Sequence, residues 1–181
     1  MRASDPSTLP AFGPKSAYVN VVIETPKGSR YKYKLDDDSG LFVLDKAMPL
    51  GLHFPFDFGF VPSTQGEDGD PIDVLVLTDG PTFPGCLIHG KLLGVIEAEQ
   101  TEGGDAERND RIIAVPLEVS SGKSPAGAVK ELTPQLVRRI ANFFVSYNEL
   151  QGRTFKILRH AGPQRAAKLI RDGMTSSKPA S

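Results

Sequence analysis

The sequence predicts an α+β domain in which a β-barrel or sandwich comes first and helices follow. Three observations predict it. Up to residue 115 the chain is broken into short apolar or alternating runs by clusters of Gly, Pro and Asp, as strands joined by tight turns are. From Thr133 the apolar spacing changes to that of a helix. Neither a repeat nor a linker-like stretch separates the two parts, so one domain is expected over residues 17–172.

The elements follow in order. Tyr18 to Thr25 is strand-like, and Pro26-Lys27-Gly28-Ser29-Arg30 turns the chain. Tyr31 to Leu35 alternates and is expected to return beside it; a turn centred on Gly28 sets Glu24 opposite Lys32 on one face. Asp36-Asp37-Asp38-Ser39-Gly40 is a second turn, and Leu41 to Leu44 a third strand. Phe54, Phe56, Phe58 and Phe60 recur at period two, which fits barrel packing. Ile72 to Leu77 is a continuous apolar strand apart from Asp73, and Leu87 to Ala98 and Arg111 to Val115 are further strands. Thr133-Pro134 reads as an N-cap with Pro in the first turn, and Leu136, Ile140, Phe143 and Tyr147 follow at helical spacing to a stop at Gly152. Phe155 to Leu158 is a late strand and Pro163 to Asp172 a second helix. Residues 1–16, rich in Pro, Ser and Ala, and residues 173–181 read as mobile arms.

Composition narrows the function classes. The 21 basic residues offset the 22 acidic ones to a net charge of −1, which gives a nucleic acid or an anionic membrane nothing to bind. Cys86 is the only cysteine, so an internal disulfide and a multi-thiolate zinc site are excluded, and a cytoplasmic setting is expected. No apolar run is long enough to span a bilayer, and the N-terminus has no apolar core of a signal peptide.

The chemistry is concentrated in Gly66-Glu67-Asp68-Gly69-Asp70-Pro71-Ile72-Asp73-Val74-Leu75. Asp68, Asp70 and Asp73 crowd three carboxylates into six residues. Asp73 lies in an otherwise apolar strand, where an unpaired carboxylate is costly. Three such charges repel unless a cation neutralises them, and hard oxygen donors select Mg2+ or Mn2+. The bland reading is an acidic surface turn; an EF-hand loop lacks its spacing and closing Glu.

The motif Asp68-Gly69-Asp70-Pro71-Ile72-Asp73-Val74-Leu75 resembles the signature of the soluble family I inorganic pyrophosphatases. The resemblance continues through Ile23-Glu24-Thr25-Pro26, Lys32-Tyr33, Phe58-Gly59-Phe60-Val61-Pro62, Gly94-Val95, Ile113-Ala114-Val115-Pro116 and Phe143-Phe144-Val145-Ser146-Tyr147, in order over residues 18–158. It implies a five-stranded OB-type β-barrel with flanking C-terminal helices, Mg2+-dependent hydrolysis of pyrophosphate (Mn2+ an alternative metal), and a homo-oligomer. It also implies Asp70 as general base, Asp68, Asp70 and Asp73 as metal ligands, and Glu24, Lys32, Lys46, Arg111 and Tyr147 around the substrate. Tyr147, close to Phe143 and Phe144 on a helix, reads equally as core.

The chain departs from the pattern at several positions. Lys34 stands for a glutamate, Lys46 for an arginine, and Phe54 and Phe58 for tyrosines. Asn109 and Gln100 replace metal-binding aspartates, Arg111 a lysine, and Asn148 a phosphate-binding lysine. Asp110 is the substitute metal ligand if a bulge turns it inward. The insertion 99–107 offers Glu102, Asp105 and Glu107 as further substitutes. Arg153, Lys156 and Arg159 read as charged surface. Two other functions are consistent with the residues. One is a catalytically weak relative that binds metal or phosphate and acts through partners. The other is an OB-type nucleic-acid module, which the near-neutral charge and the absence of Trp disfavour.

Overall fold

The computed structural model describes residues 5–117 and 131–176. Among the described residues, nine strands and two α-helices follow in chain order: β1 (Val19–Thr25), β2 (Tyr31–Asp36), β3 (Leu41–Ala47), β4 (Asp57–Phe60), β5 (Asp73–Val76), β6 (Leu87–Glu102), β7 (Asp105–Arg108), β8 (Arg111–Pro116), α1 (Pro134–Glu149), β9 (Thr154–Ala161) and α2 (Pro163–Ser176). The barrel runs β1–β4–β5–β8–β6 and closes where β6 pairs back with β1, so the expected five-stranded barrel is formed. The β5–β8 contact is parallel and the others are antiparallel. Strands β7 and β9 extend the sheet from β6, and β2–β3 stand apart as a two-stranded hairpin.

Alternation along the strands divides the core in two. Leu75 and Leu77 of the β5 region and Ile113 and Val115 of β8 join Phe54, Phe58 and the α1 residues Ile140 and Phe144. Val74, Val76, Ile112 and Ala114 point the other way and meet Ala166 and Ile170 of α2. Helix α1 starts as its sequence signals require: the Thr133 side chain accepts from the Leu136 amide at 3.2 Å, and Pro134 follows. Gly59 of β4 has no room for a side chain, because a Cβ there would lie 2.0 Å from the Val22 carbonyl oxygen.

Three expectations are corrected. First, β1 and β2 do not pair as a hairpin; β1 is hydrogen-bonded to β4 and β6 instead. The Thr25 hydroxyl takes the place of a ladder there, donating to the Tyr33 carbonyl and accepting from its amide. Lys32 is therefore opposite Lys46 of β3, not Glu24. Second, residues 5–16 lie against the barrel: Ala11 is fully buried, its carbonyl accepts from the Asn20 amide, and Phe12 bridges to Val19. Third, α2 continues past Asp172, and the insertion 99–107 forms a β6–β7 hairpin turning at Gly103 and Gly104, both at positive φ. Of the two expected arms, residues 1–4 and 177–181 lie outside the described residues.

Candidate active site

The acidic loop joins β4 to β5 on a backbone that needs glycine. Gly69 has φ +87°, and the Gly66 amide donates to the Asp70 carbonyl at 2.7 Å, folding the loop on itself. The Thr64 hydroxyl accepts from the Ile72 amide and pins the start of β5. The loop places Asp68, Asp70 and Asp73 on one wall of a cleft of about 410 Å3. Lys32 and Lys46 from the hairpin, Glu24 from β1, Arg111 from β8 and Tyr147 from α1 line the same cleft. Residues far apart in sequence are thus brought together, all but Asp110 of those expected at the site.

The basic wall is built to meet an anion. Lys32 and Lys46 are cross-strand partners, and like charges in that register repel unless something negative lies between them. Lys32 sits 5.6 Å over the Phe58 ring. Phe58 therefore serves the site as well as the barrel, a role that its period-two spacing does not reveal. Tyr147 is packed as a core residue and also borders the cleft. Its ring stacks on Phe143 at 5.9 Å and contacts Phe54, while the residue borders the cleft.

The carboxylates perturb one another. Burial pushes the Glu24 carboxyl up to about 7; Asp73 and Asp70 add to the rise, while the Leu35 amide and Lys32 oppose it. The Leu35 amide donates to Glu24 at 2.9 Å. Burial and then the Asp73 charge also raise Asp68. Burial raises Asp73, against the pull of Arg111 and Lys32. A bound cation relieves all three at once. Among the described residues no three carboxylate, imidazole or thiol groups are clustered closely enough to hold an ion unaided. The oxygen-only donor set still suits a hard cation such as Mg2+, which takes one or two carboxylates and completes its shell with water and phosphate oxygens.

The wall formed by β6 and β8 differs from the sequence expectation. Asp110 accepts from Arg108 at 2.9 and 3.0 Å and from the Ala98 amide at 3.0 Å. It lines the neighbouring cavity, with Arg165 and Leu169, instead of the cleft. Arg108 also reaches the buried Glu97, which binds Arg159 and Arg165 as well. Burial pushes the Glu97 carboxyl up, but hydrogen bonds from these three arginines outweigh it and bring it to about 2. Asn148 is buried and its amide donates to the Phe144 carbonyl at 2.8 Å, so it offers the cleft no cation. Arg153, expected on a charged surface, lines the cleft instead, paired with Glu102 of the β6–β7 hairpin at 2.9 Å. Position 153 carries no sequence signal of its own; the turn at Gly152 (φ +73°) is what returns it to the cleft.

A family model described as inorganic pyrophosphatase matches residues 21–178. The chain belongs to the inorganic pyrophosphatase family. An inorganic pyrophosphatase of Synechocystis is 39% identical over 158 residues, covering 85% of this chain and 88% of the relative. One from Geobacillus stearothermophilus is 36% identical over 152 residues, covering 84% and 89%. The crystal structure of the inorganic pyrophosphatase from Thermus thermophilus superposes with a TM-score of 0.80 at 31% identity, covering 96% of this chain and 99% of that one. Inorganic pyrophosphatases are metal-dependent enzymes, in keeping with the donor set of the acidic loop. Among the described residues no helix is long and apolar enough to cross a membrane.

Proposed function

We propose that the chain hydrolyses inorganic pyrophosphate to two phosphates with Mg2+, or Mn2+ in its place, in the β4–β5 cleft. The observation that carries this is the arrangement of one cleft, with Asp68, Asp70 and Asp73 on one wall and the opposed Lys32–Lys46 pair on another. Asp68, Asp70 and Asp73 would supply carboxylate oxygens to the metal, with water and phosphate oxygens completing its shell; bound there it would neutralise phosphate charge and acidify a water. Asp70 accepts the proton of the water that attacks one phosphorus. The bond from that phosphorus to the bridging oxygen breaks, and the oxygen leaves with the second phosphate. Lys32, Lys46, Arg111 and Tyr147 hold the phosphate oxygens, and the cations among them stabilise the charge that builds on the leaving group. Glu24 borders the cleft near Lys32 and Asp73, where a bound cation would favour its ionised form. By family analogy the protein works in the cytoplasm as a homo-oligomer.

A second reading is favoured by one observation. Asn109 and Gln100 bond to each other at 2.9 Å, and the buried Asn148 borders the cleft with its amide bonded to the Phe144 carbonyl of its own helix, so part of the cleft lacks charge to handle metal and phosphate. That describes a slow enzyme or a binding protein. Phosphate release from pyrophosphate, measured in Mg2+ and in EDTA, separates the two. The hydrolase releases phosphate in Mg2+ and none in EDTA. Release at the uncatalysed rate in both leaves the binding protein.

A further inference from the structure

Arg111 is the most constrained cation in the cleft. The residue is 6% exposed. Its guanidinium lies 5.0 Å from the Phe144 ring centroid and 5.8 Å from those of Phe58 and Phe155. One nitrogen, Nη1, donates to the Asp73 carboxylate, to the Asn109 side-chain oxygen and to the Asp110 carbonyl at 3.0 Å. The Asn109 amide donates in turn to Gln100, which turns the Asn109 oxygen toward Arg111. The parallel β5–β8 register, with Val74 opposite Ile112, brings Asp73 and Arg111 side by side.

We propose that Arg111 is a built-in cation that governs metal loading: it holds Asp73 in the absence of metal and limits the number of divalent ions the cleft takes up. The proposal rests on the cleft assigned above and concerns its metal content, not its turnover. Three features support it. A guanidinium is permanently charged and cannot leave by losing its proton. The three rings face its planar surface and favour a cation at that point. The neutral Asn109–Gln100 pair adds an acceptor for Arg111 without adding charge for a metal. A divalent ion approaching Asp73 must therefore displace, or share the carboxylate with, a fixed positive charge. The wall formed by β6 and β8 is the metal-poor side; Asp68 and Asp70 carry the first ion, and Asp73 joins them only by giving up part of its bond to Arg111.

The test is Mn2+ binding to the full chain without substrate, followed by calorimetry and by the electron paramagnetic resonance signal of free Mn2+. Arg111→Met keeps the apolar stem and removes the charge. It is expected to bind at least one more Mn2+ per chain, or the same number at least about tenfold tighter. Unchanged or weaker binding by folded Arg111→Met overturns the proposal. Because loss of a buried charge can unfold a protein, Asn109→Asp is the second variant. With Arg111 in place to neutralise the new carboxylate, the Mn2+ count is expected to stay at the wild-type value. An extra tightly bound Mn2+ in Asn109→Asp contradicts it. Neither readout depends on pyrophosphate hydrolysis. Turnover by wild type with no change in metal count sinks this inference and leaves the function standing, and the converse result does the reverse.

Discussion

Glu24 makes the protein's stability depend on pH in a direction opposite to that of most carboxylates. Its carboxyl is raised from 4.5 to about 7, chiefly by burial and then by Asp73 and Asp70 against the Leu35 amide and Lys32. Between those values the folded chain keeps a proton that the unfolded chain has released. Stability from this group is thus fully present below pH 4.5 and is lost as pH rises through 7. The shift corresponds to roughly 3 kcal/mol. The Glu24→Gln variant keeps an acceptor for the Leu35 amide and cannot ionise. Urea unfolding in EDTA at pH 5 and pH 8 reads the effect as a difference, which removes the contributions of groups common to both proteins. From pH 5 to pH 8 the wild type is expected to lose about 3 kcal/mol more than Glu24→Gln, or about 6–12 °C in Tm. Adding Mg2+ favours the ionised carboxylate and is expected to flatten the wild-type slope. Parallel pH profiles for the two proteins in EDTA would refute the reasoning, because they would mean that Glu24 is not held neutral by its surroundings.

Other perturbations test separate parts of the structure. Glu97 contributes in the usual carboxylate direction: it sits near 2, so its stabilisation is present above pH 4.5 and lost as pH falls toward 2. Glu97→Gln strands three arginines around a neutral group and is expected to cost roughly 3 kcal/mol in urea unfolding at pH 7, with a smaller loss at pH 3. Gly59→Ala drives a Cβ into the Val22 carbonyl and is expected to cost about 3 kcal/mol or more, seen as a lower Tm or insoluble protein. Lys46→Arg supplies a planar fork facing the cleft and is expected to lower KM for pyrophosphate about fivefold with kcat little changed.

Much of the barrel was legible because its strands end at residues that cannot continue them. Gly28 and Gly40, both at positive φ, mark turns that the sequence already announces, and Thr133-Pro134 marks the start of α1. The β1–β2 register was not legible. The Pro26–Arg30 turn is anchored elsewhere, with the Lys27 amide donating to Asp57 and its ammonium to the Thr78 carbonyl. That anchoring separates the strands and leaves Lys32 facing Lys46. Strand β7, Asp105–Arg108, has no apolar pattern because it pairs only with the projecting end of β6. At the site, residues within one segment could be placed from sequence, as Asp68, Asp70 and Asp73 were. Asp110 could not, because the arginine that claims it lies two residues away at the end of β7 and is itself recruited by Glu97 from β6. Arg153 illustrates the same limit: a cation in a turn has no period, and the turn at Gly152 between α1 and β9 is what returns it to the cleft.

The proposed hydrolysis turns on Asp70 as the general base of the cleft. Phosphate release from pyrophosphate in Mg2+ by wild type and by Asp70→Asn, at equal concentration and with both shown to be folded, tests it most directly. Loss of a general base is expected to slow the variant by about 100-fold or more while the fold is kept. A folded variant as fast as the wild type would mean that Asp70 is not the base of the hydrolysis.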